Sequence, residues 1–147
     1  MTITQAEKMH AVAIAKLIMQ AMNNDCCQYF AGPEHTLQDF EDMMIRLVEA
    51  DNSQYSYRNS IVALADDGNV AGVCVSYDGK DLRDLRKAFV AAALEAFGRD
   101  FSDIDDETQA GELYIDSIAV DERYRRQGIA RECLANICHD SSNVSIV

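Results

Sequence analysis

The sequence predicts a mixed α/β (α+β) domain, a central sheet with helices on its faces. Three observations carry that expectation. Hydrophobic spacing switches between strand-like and helix-like periods along the chain, in the order β-α-α-β-β-α-β-α-β. Two β-rich runs flank Asp66-Asp67-Gly68-Asn69, an Asp-Gly turn of the kind that closes a hairpin. Between Gly111 and Ala135 a strand hands over to a helix through an arginine-rich turn.

In chain order, Thr2 to Gln5 is a short β-prone stretch, although Thr4 and Glu7 would also suit a capping box. A helix is expected from about Lys8 to Met22, with Val12, Ala15, Ile18, Met19 and Met22 on one face and Asn23 to Asp25 ending it. Cys26 to Glu34 reads as a loop. Thr36 is an N-cap for a second helix, about Leu37 to Ala50, whose buried stripe is Leu37, Phe40, Met44, Leu47 and Val48. After a polar loop come strands Ser60 to Ala65 and Val70 to Tyr77; Gly72 inside the second marks a bulge or a close backbone approach. Asp81 to Phe97 is a third amphipathic helix (Leu82, Leu85, Phe89, Ala92, Ala93), stopped by Gly98. The acidic stretch from Arg99 to Ala110 reads as a mobile loop. Glu112 to Val120 is a strand, about Gln127 to His139 a helix with Ile129, Cys133, Leu134 and Ile137 inward, and Val144 to Val147 the start of another strand.

The bulk properties narrow the function. A chain of 147 residues is one domain with one core, and 48% apolar with 26% charged residues is the balance of an ordinary globular protein. No apolar run approaches the ~20 residues of a membrane span. The start, MTITQAEKMH, lacks a basic region followed by an apolar one, so no secretory signal and a cytoplasmic location are expected. A net charge of −12 argues against nucleic-acid binding through a general basic surface. Yet four of the nine arginines (Arg123, Arg125, Arg126, Arg131) fall in one short stretch. That cluster fits one anionic ligand better than a polyanion, the alternative being a solvated helix face balanced by Asp121, Glu122 and Glu132. The five cysteines make no C-x-x-C pair, and Cys133, Cys138 and His139 match no common zinc spacing, so neither a disulfide framework nor a metal is expected.

Gly128 sits where the strand gives way to the helix. The first N–H groups of a helix have no internal partners and carry the positive end of its dipole. With Arg125 and Arg126 beside them they make a phosphate site. There is no G-K-[ST] and no G-x-G-x-x-G, which excludes the common nucleotide loops.

The run Ile118-Ala119-Val120-Asp121-Glu122-Arg123-Tyr124-Arg125-Arg126-Gln127-Gly128-Ile129-Ala130 resembles the acetyl-CoA motif of the GNAT N-acetyltransferases, [RQ]-x-x-G-x-[GA] after a strand ending in an L/I-A-V-like triplet. The order of elements is similar as well. The resemblance implies an acyl-CoA N-acyltransferase-like fold over a single domain, 1–147, and transfer of acetyl from acetyl-CoA to an amine, small-molecule or peptide, by direct attack. It implies that amides and side chains of Arg125, Arg126, Gln127, Gly128, Ile129, Ala130 and Arg131 hold the pyrophosphate. The backbone of Ile118, Ala119 and Val120 would then receive the pantetheine arm like an added strand. Glu112 and Asp116 are the candidate catalytic carboxylates, the alternative for Asp116 being a structural residue bonded to nearby backbone or an anchor for the substrate amine, and Tyr114 is a candidate for the acceptor-pocket wall; all three share strand parity with Ile118 and Val120. A carboxylate in a buried strand is costly unless paired or functional.

The chain also departs from the family pattern. Residues 79–110 form a helical, acidic insertion, expected to be a substrate lid or additional core. The family's domain continues past Val147 with a further helix and strand pair, which carry an Asn contact to pantetheine and a Tyr general acid. The expectation is therefore a C-terminally truncated domain. It would be a shortened product, a homodimer that covers the gap, or an acyl-CoA-binding or protein-interaction domain without turnover.

Overall fold

The computed structural model describes residues 1–140 and 145–146. Five strands lie side by side in sequence order: β1 (Thr2–Gln5), β2 (Ser60–Leu64), β3 (Val70–Asp78), β4 (Glu112–Val120) and β5 (Ser145–Ile146). Neighbours are antiparallel except β4 and β5, which are parallel and paired at Glu112–Ser145 and Leu113–Ile146. Val144 and Val147, the ends of the expected last strand, lie outside the described residues.

Helices α1 (Ala11–Met22), α2 (Asn24–Ala31), α3 (Leu37–Glu49) and α4 (Leu82–Phe97) build the main core on one face of the sheet, around Ile14, Ile18, Phe40, Met44, Val73 and Val75. Helix α5 (Ile129–Asp140) covers the other face, where Ile129, Cys133 and Ile137 pack on Ala63, Ala71 and Cys74. The mixed sheet-and-helix architecture is as expected, and β1, β4 and the Asp-Gly hairpin fall where the sequence placed them.

Helix α2 was not expected. Asn23, read as a stop, does end α1 with φ 74, but its side chain also accepts from Cys26 N–H at 2.9 Å and so caps α2. Val12, expected on the buried face of α1, is half exposed. Thr36 and Asp39 form a reciprocal capping box that opens α3 (3.1 and 2.9 Å).

Helix α4 is core. Phe89, Ala93 and Phe97 join the main cluster, and Phe30 meets Phe89 edge-on at 5.3 Å. The segment 99–110 is packed rather than loose. Phe101 is buried against Phe30 (4.9 Å between ring centres), and buried Arg86 of α4 donates to Ile104 O (2.9 Å), Asp105 O (3.0 Å) and Asp106 (3.3 Å).

Candidate active site

Two features of β4 build the site. The first is a bulge. Val75 of β3 pairs with Ser117 and Ser76 with Ile115, so Asp116 has no partner across the ladder. Ile115 and Ile118, three positions apart, consequently both pack on the α5 face. This overturns the expected parity: Tyr114 and Asp116 face the α1–α4 side, opposite Ile118 and Val120. One extra residue in the strand reverses the alternation upstream of it.

On that side Asp116 is enclosed by polar partners. Its Oδ2 accepts from the Tyr77 hydroxyl at 2.6 Å and from Gln54 Nε2 at 3.1 Å; Oδ1 accepts from Ser117 Oγ at 3.2 Å. Burial is the largest influence on its carboxyl and raises it above the usual range; nearby Glu107 adds to the rise, and the three hydrogen bonds oppose it. Tyr114 stands edge-on to Tyr77 at 5.7 Å and donates its hydroxyl to Glu107. Tyr55 and Tyr77 are buried beside the same carboxylate, and burial first, then Asp116, pushes both hydroxyls up.

Glu112 has a different occupation. Its Oε1 accepts from Thr108 Oγ1 and Gln109 N–H, both at 3.0 Å, and so braces the turn that enters β4. Gln54 and Tyr77 were not singled out from sequence. They lie 62 and 39 positions from Asp116, and only the folded sheet brings them to it.

The second feature is the turn after β4. Asp121 N–H donates back to Ala71 O of β3 at 2.8 Å. By the alternation of an antiparallel ladder, Ala119 then also faces β3, and the backbone groups of Ile118 and Val120 point to the opposite edge. There Val120 O accepts from Gln20 Nε2 of α1 (3.1 Å) and Arg125 Nε (3.4 Å).

Arg126 and Gly128 have φ of 67 and 78, and α5 begins at Ile129. Left-handed residues set into the start of a helix turn successive N–H groups toward one concavity that suits an anion. A Cβ built on Gly128 would meet no atom within 4 Å, so the space beside this backbone is open. Arg123 is spent on Asp121 (3.1 and 3.2 Å). Arg125, Arg126 and Arg131 are exposed and make no ion pair among the described residues. The donors, free charge and open backbone of this turn fit a pyrophosphate.

Beside the turn, a groove of about 480 Å³ runs between Arg123, Tyr124 and Gln127 and the hairpin residues Ala65, Asp66 and Asp67. Larger hollows of about 630 and 600 Å³ lie along α4 and share no residue with the turn. A cysteine route finds no support among the described residues. Burial pushes the Cys74 thiol up to about 12 and that of Cys27 up to about 11, and raises Cys26 and Cys133 as well, which leaves protonated, poorly nucleophilic sulfur.

The sequence from residue 18 to 144 matches the model of the acetyltransferase (GNAT) family. No curated protein matches. Among solved structures, a crystal structure of an acetyltransferase is 25% identical with TM-score 0.78, over 97% of this chain and 75% of that one. An N-acetyltransferase from Staphylococcus aureus Mu50 is 21% identical with TM-score 0.82, over 99% and 79%. The aminoglycoside acetyltransferase AAC(6')-Iy, bound to a CoA bisubstrate analogue, is 15% identical with TM-score 0.51, over 99% and 76%.

The family match and the shared fold make this chain an acyltransferase that draws on acyl-CoA. The chain belongs to the GNAT acetyltransferase family, with the acyl-CoA N-acyltransferase-like fold and acetyl-CoA as its co-substrate. No helix among the described residues is long and apolar enough to cross a membrane.

Proposed function

We propose that this chain is an N-acetyltransferase that passes acetyl from acetyl-CoA to an amine by direct attack, with Asp116 as the base. The observation that carries the reading is the placement of Asp116. It is a half-buried carboxylate at the bulge of the strand that leads to the pyrophosphate turn, and its proton affinity is raised toward that of a working base.

Each part of β4 and its turn has a role in this reading. The turn from Arg125 to Arg131 holds the pyrophosphate through the Arg126 and Gly128 nest and the first amides of α5. The outward backbone of Ile118 and Val120 receives the pantetheine arm by strand addition, with Gln20 and Arg125 yielding Val120 O. Acetyl-CoA supplies the activated acyl group. The amine nitrogen attacks the thioester carbonyl and Asp116 takes its proton; the C–S bond then breaks, giving the amide and the CoA thiolate, which takes a proton from solvent, and Tyr114 with Glu107 forms the wall toward solvent. Glu112 is assigned to the turn it braces rather than to catalysis. The acceptor is a small-molecule or peptide amine. The free thiols Cys26, Cys27, Cys74 and Cys133 support a reducing, cytoplasmic setting.

The test is thiol release from acetyl-CoA with a panel of primary amines, for the natural chain and for Asp116→Asn. Amine-dependent release that Asp116→Asn lowers by about a hundredfold or more supports the assignment. Calorimetric binding of acetyl-CoA with no release for any amine would instead identify a binding domain.

A further inference from the structure

The three donors to Asp116 are not distributed evenly. A carboxylate offers about four lone-pair positions, two per oxygen. Tyr77 and Gln54 occupy both positions of Oδ2, whereas Oδ1 has one contact, the 3.2 Å bond from Ser117. Both donors to Oδ2 are themselves fixed. Tyr77 is buried in β3 against the ring of Tyr114. Gln54 is tied to α4 by its own N–H, which donates to Leu85 O at 3.2 Å, and Asn59 Nδ2 holds the neighbouring Ser53 O at 3.0 Å.

Gln54 shows a further anomaly. Its side chain is buried, and its Oε1 has no hydrogen-bond partner among the described residues. A buried amide oxygen left unmet costs stability, and an apolar residue of similar shape would avoid that cost. What the amide does accomplish is to deliver Nε2 to Asp116.

We propose that Tyr77 and Gln54 are the positioning residues of the Asp116 base: by saturating Oδ2 they leave Oδ1 as the oxygen that takes the amine proton. The proposal rests on the assignment of Asp116 above. Each bond to Oδ2 also favours the charged carboxylate, against the opposing effects of burial and of Glu107. The groups facing the carboxylate are Tyr77 of β3, Tyr114 and Ser117 of β4, Gln54 and Tyr55 of the loop after α3, and Glu107 of the segment after α4. Arg86 of α4 is turned away from it to Asp106 and the carbonyls of Ile104 and Asp105.

The experiment uses Tyr77→Phe, which keeps the ring and its packing, and Gln54→Met as a second variant, each in the whole chain. The Asp116 carboxyl carbon is titrated by NMR and identified by its absence in Asp116→Asn. In parallel, thiol release is followed against pH with the best acceptor of an amine panel. Loss of a bond that favours the carboxylate raises its proton affinity, so both variants move the Asp116 titration to higher pH. The base limb of kcat/KM moves with it, kcat falls on the order of tenfold, and KM for acetyl-CoA stays within about twofold.

A titration that stays in place in both variants overturns the proposal, whether or not an acceptor has been found. So does a titration that moves while the pH limb does not. Full activity of Asp116→Asn defeats the base assignment itself; the two failures are distinct, because the Asp116 signal still moves in Tyr77→Phe in that case.

Discussion

Ile129, the first residue of α5, sits directly over Gly72 of β3: a Cβ built on the glycine would stand 2.9 Å from Ile129 Cγ2 and 3.2 Å from Ala119 O. The missing side chain lets the start of α5 reach the sheet, and the start of α5 carries the amides proposed to hold the pyrophosphate. Gly72→Ala therefore does more than crowd the core. It destabilises the fold by about 1–3 kcal/mol, and it lifts the first turn of α5 away from the Arg126–Gly128 nest. Urea unfolding gives the first effect and calorimetric titration with acetyl-CoA the second, an expected weakening of about tenfold. Loss of stability with unchanged affinity would show that the helix start does not depend on this contact.

At Gly128 the reasoning is reversed, because nothing crowds its missing Cβ. Substitution there meets only the left-handed φ of 78, which costs an L-residue about 1–2 kcal/mol. Gly128→Glu keeps the fold and places a carboxylate in the concavity proposed to hold phosphate, where like charge costs several kcal/mol. Acetyl-CoA affinity falls by about a hundredfold or more, whereas Gly128→Ala, with the same strain and no charge, falls much less. Equal loss in both variants would assign the effect to backbone distortion and remove the electrostatic argument.

The turn was legible in the sequence because its physics is local: a glycine, a helix start and adjacent arginines lie within a few residues. The same holds for β4 and the hairpin, whose period and turn residues point one way. The reading broke down where one residue had two tasks or where a partner was remote. Asn23 both ends α1 and caps α2, so an apparent stop concealed a new helix. The bulge at Asp116 depends on how β3 pairs with β4, and strand parity alone cannot contain it. The segment 99–110 read as loose because its anchor, Arg86, lies in another element. Arg86 does share the helical face of Leu82, Phe89 and Ala93, and an arginine on an apolar stripe is a signal that it binds something buried.

That anchor can be removed. Arg86 is 8% exposed and holds Ile104 O, Asp105 O and Asp106. Arg86→Met retains most of the packed stem and leaves the two carbonyls without their donor. The expected cost is about 2–3 kcal/mol, the modest figure reflecting that Asp106 is one-third exposed and also bound by Arg83. The consequence is local as well. The segment carrying Glu107 loosens, and with it the bond from Tyr114. Limited proteolysis between residues 99 and 111 should accelerate in the variant; cleavage no faster than in the natural chain would show that Phe101 alone suffices to hold the segment.

Asp116 leaves a signature in stability that needs no acceptor. Its carboxyl is raised above the ordinary value of 3.8, chiefly by burial, so the native state holds this proton more tightly than the unfolded chain. As pH rises above that ordinary value the unfolded chain releases its proton first, and stability falls until the native carboxyl has also ionised. Asp39, Asp66, Asp100, Asp106 and Asp121 behave oppositely: hydrogen bonds hold each below its ordinary value, and their contribution is lost on acidification. They are common to the natural chain and Asp116→Asn, so the difference between the two isolates Asp116. Asparagine removes the half-buried charge at nearly constant shape. Urea unfolding at a series of pH values should therefore show Asp116→Asn gaining on the natural chain as pH rises from about 4 and levelling off above the native titration. A difference that does not vary with pH would mean that Asp116 titrates alike in the folded and unfolded states. The cost of burying it, on which its selection over Glu112 as the base depends, would then be absent.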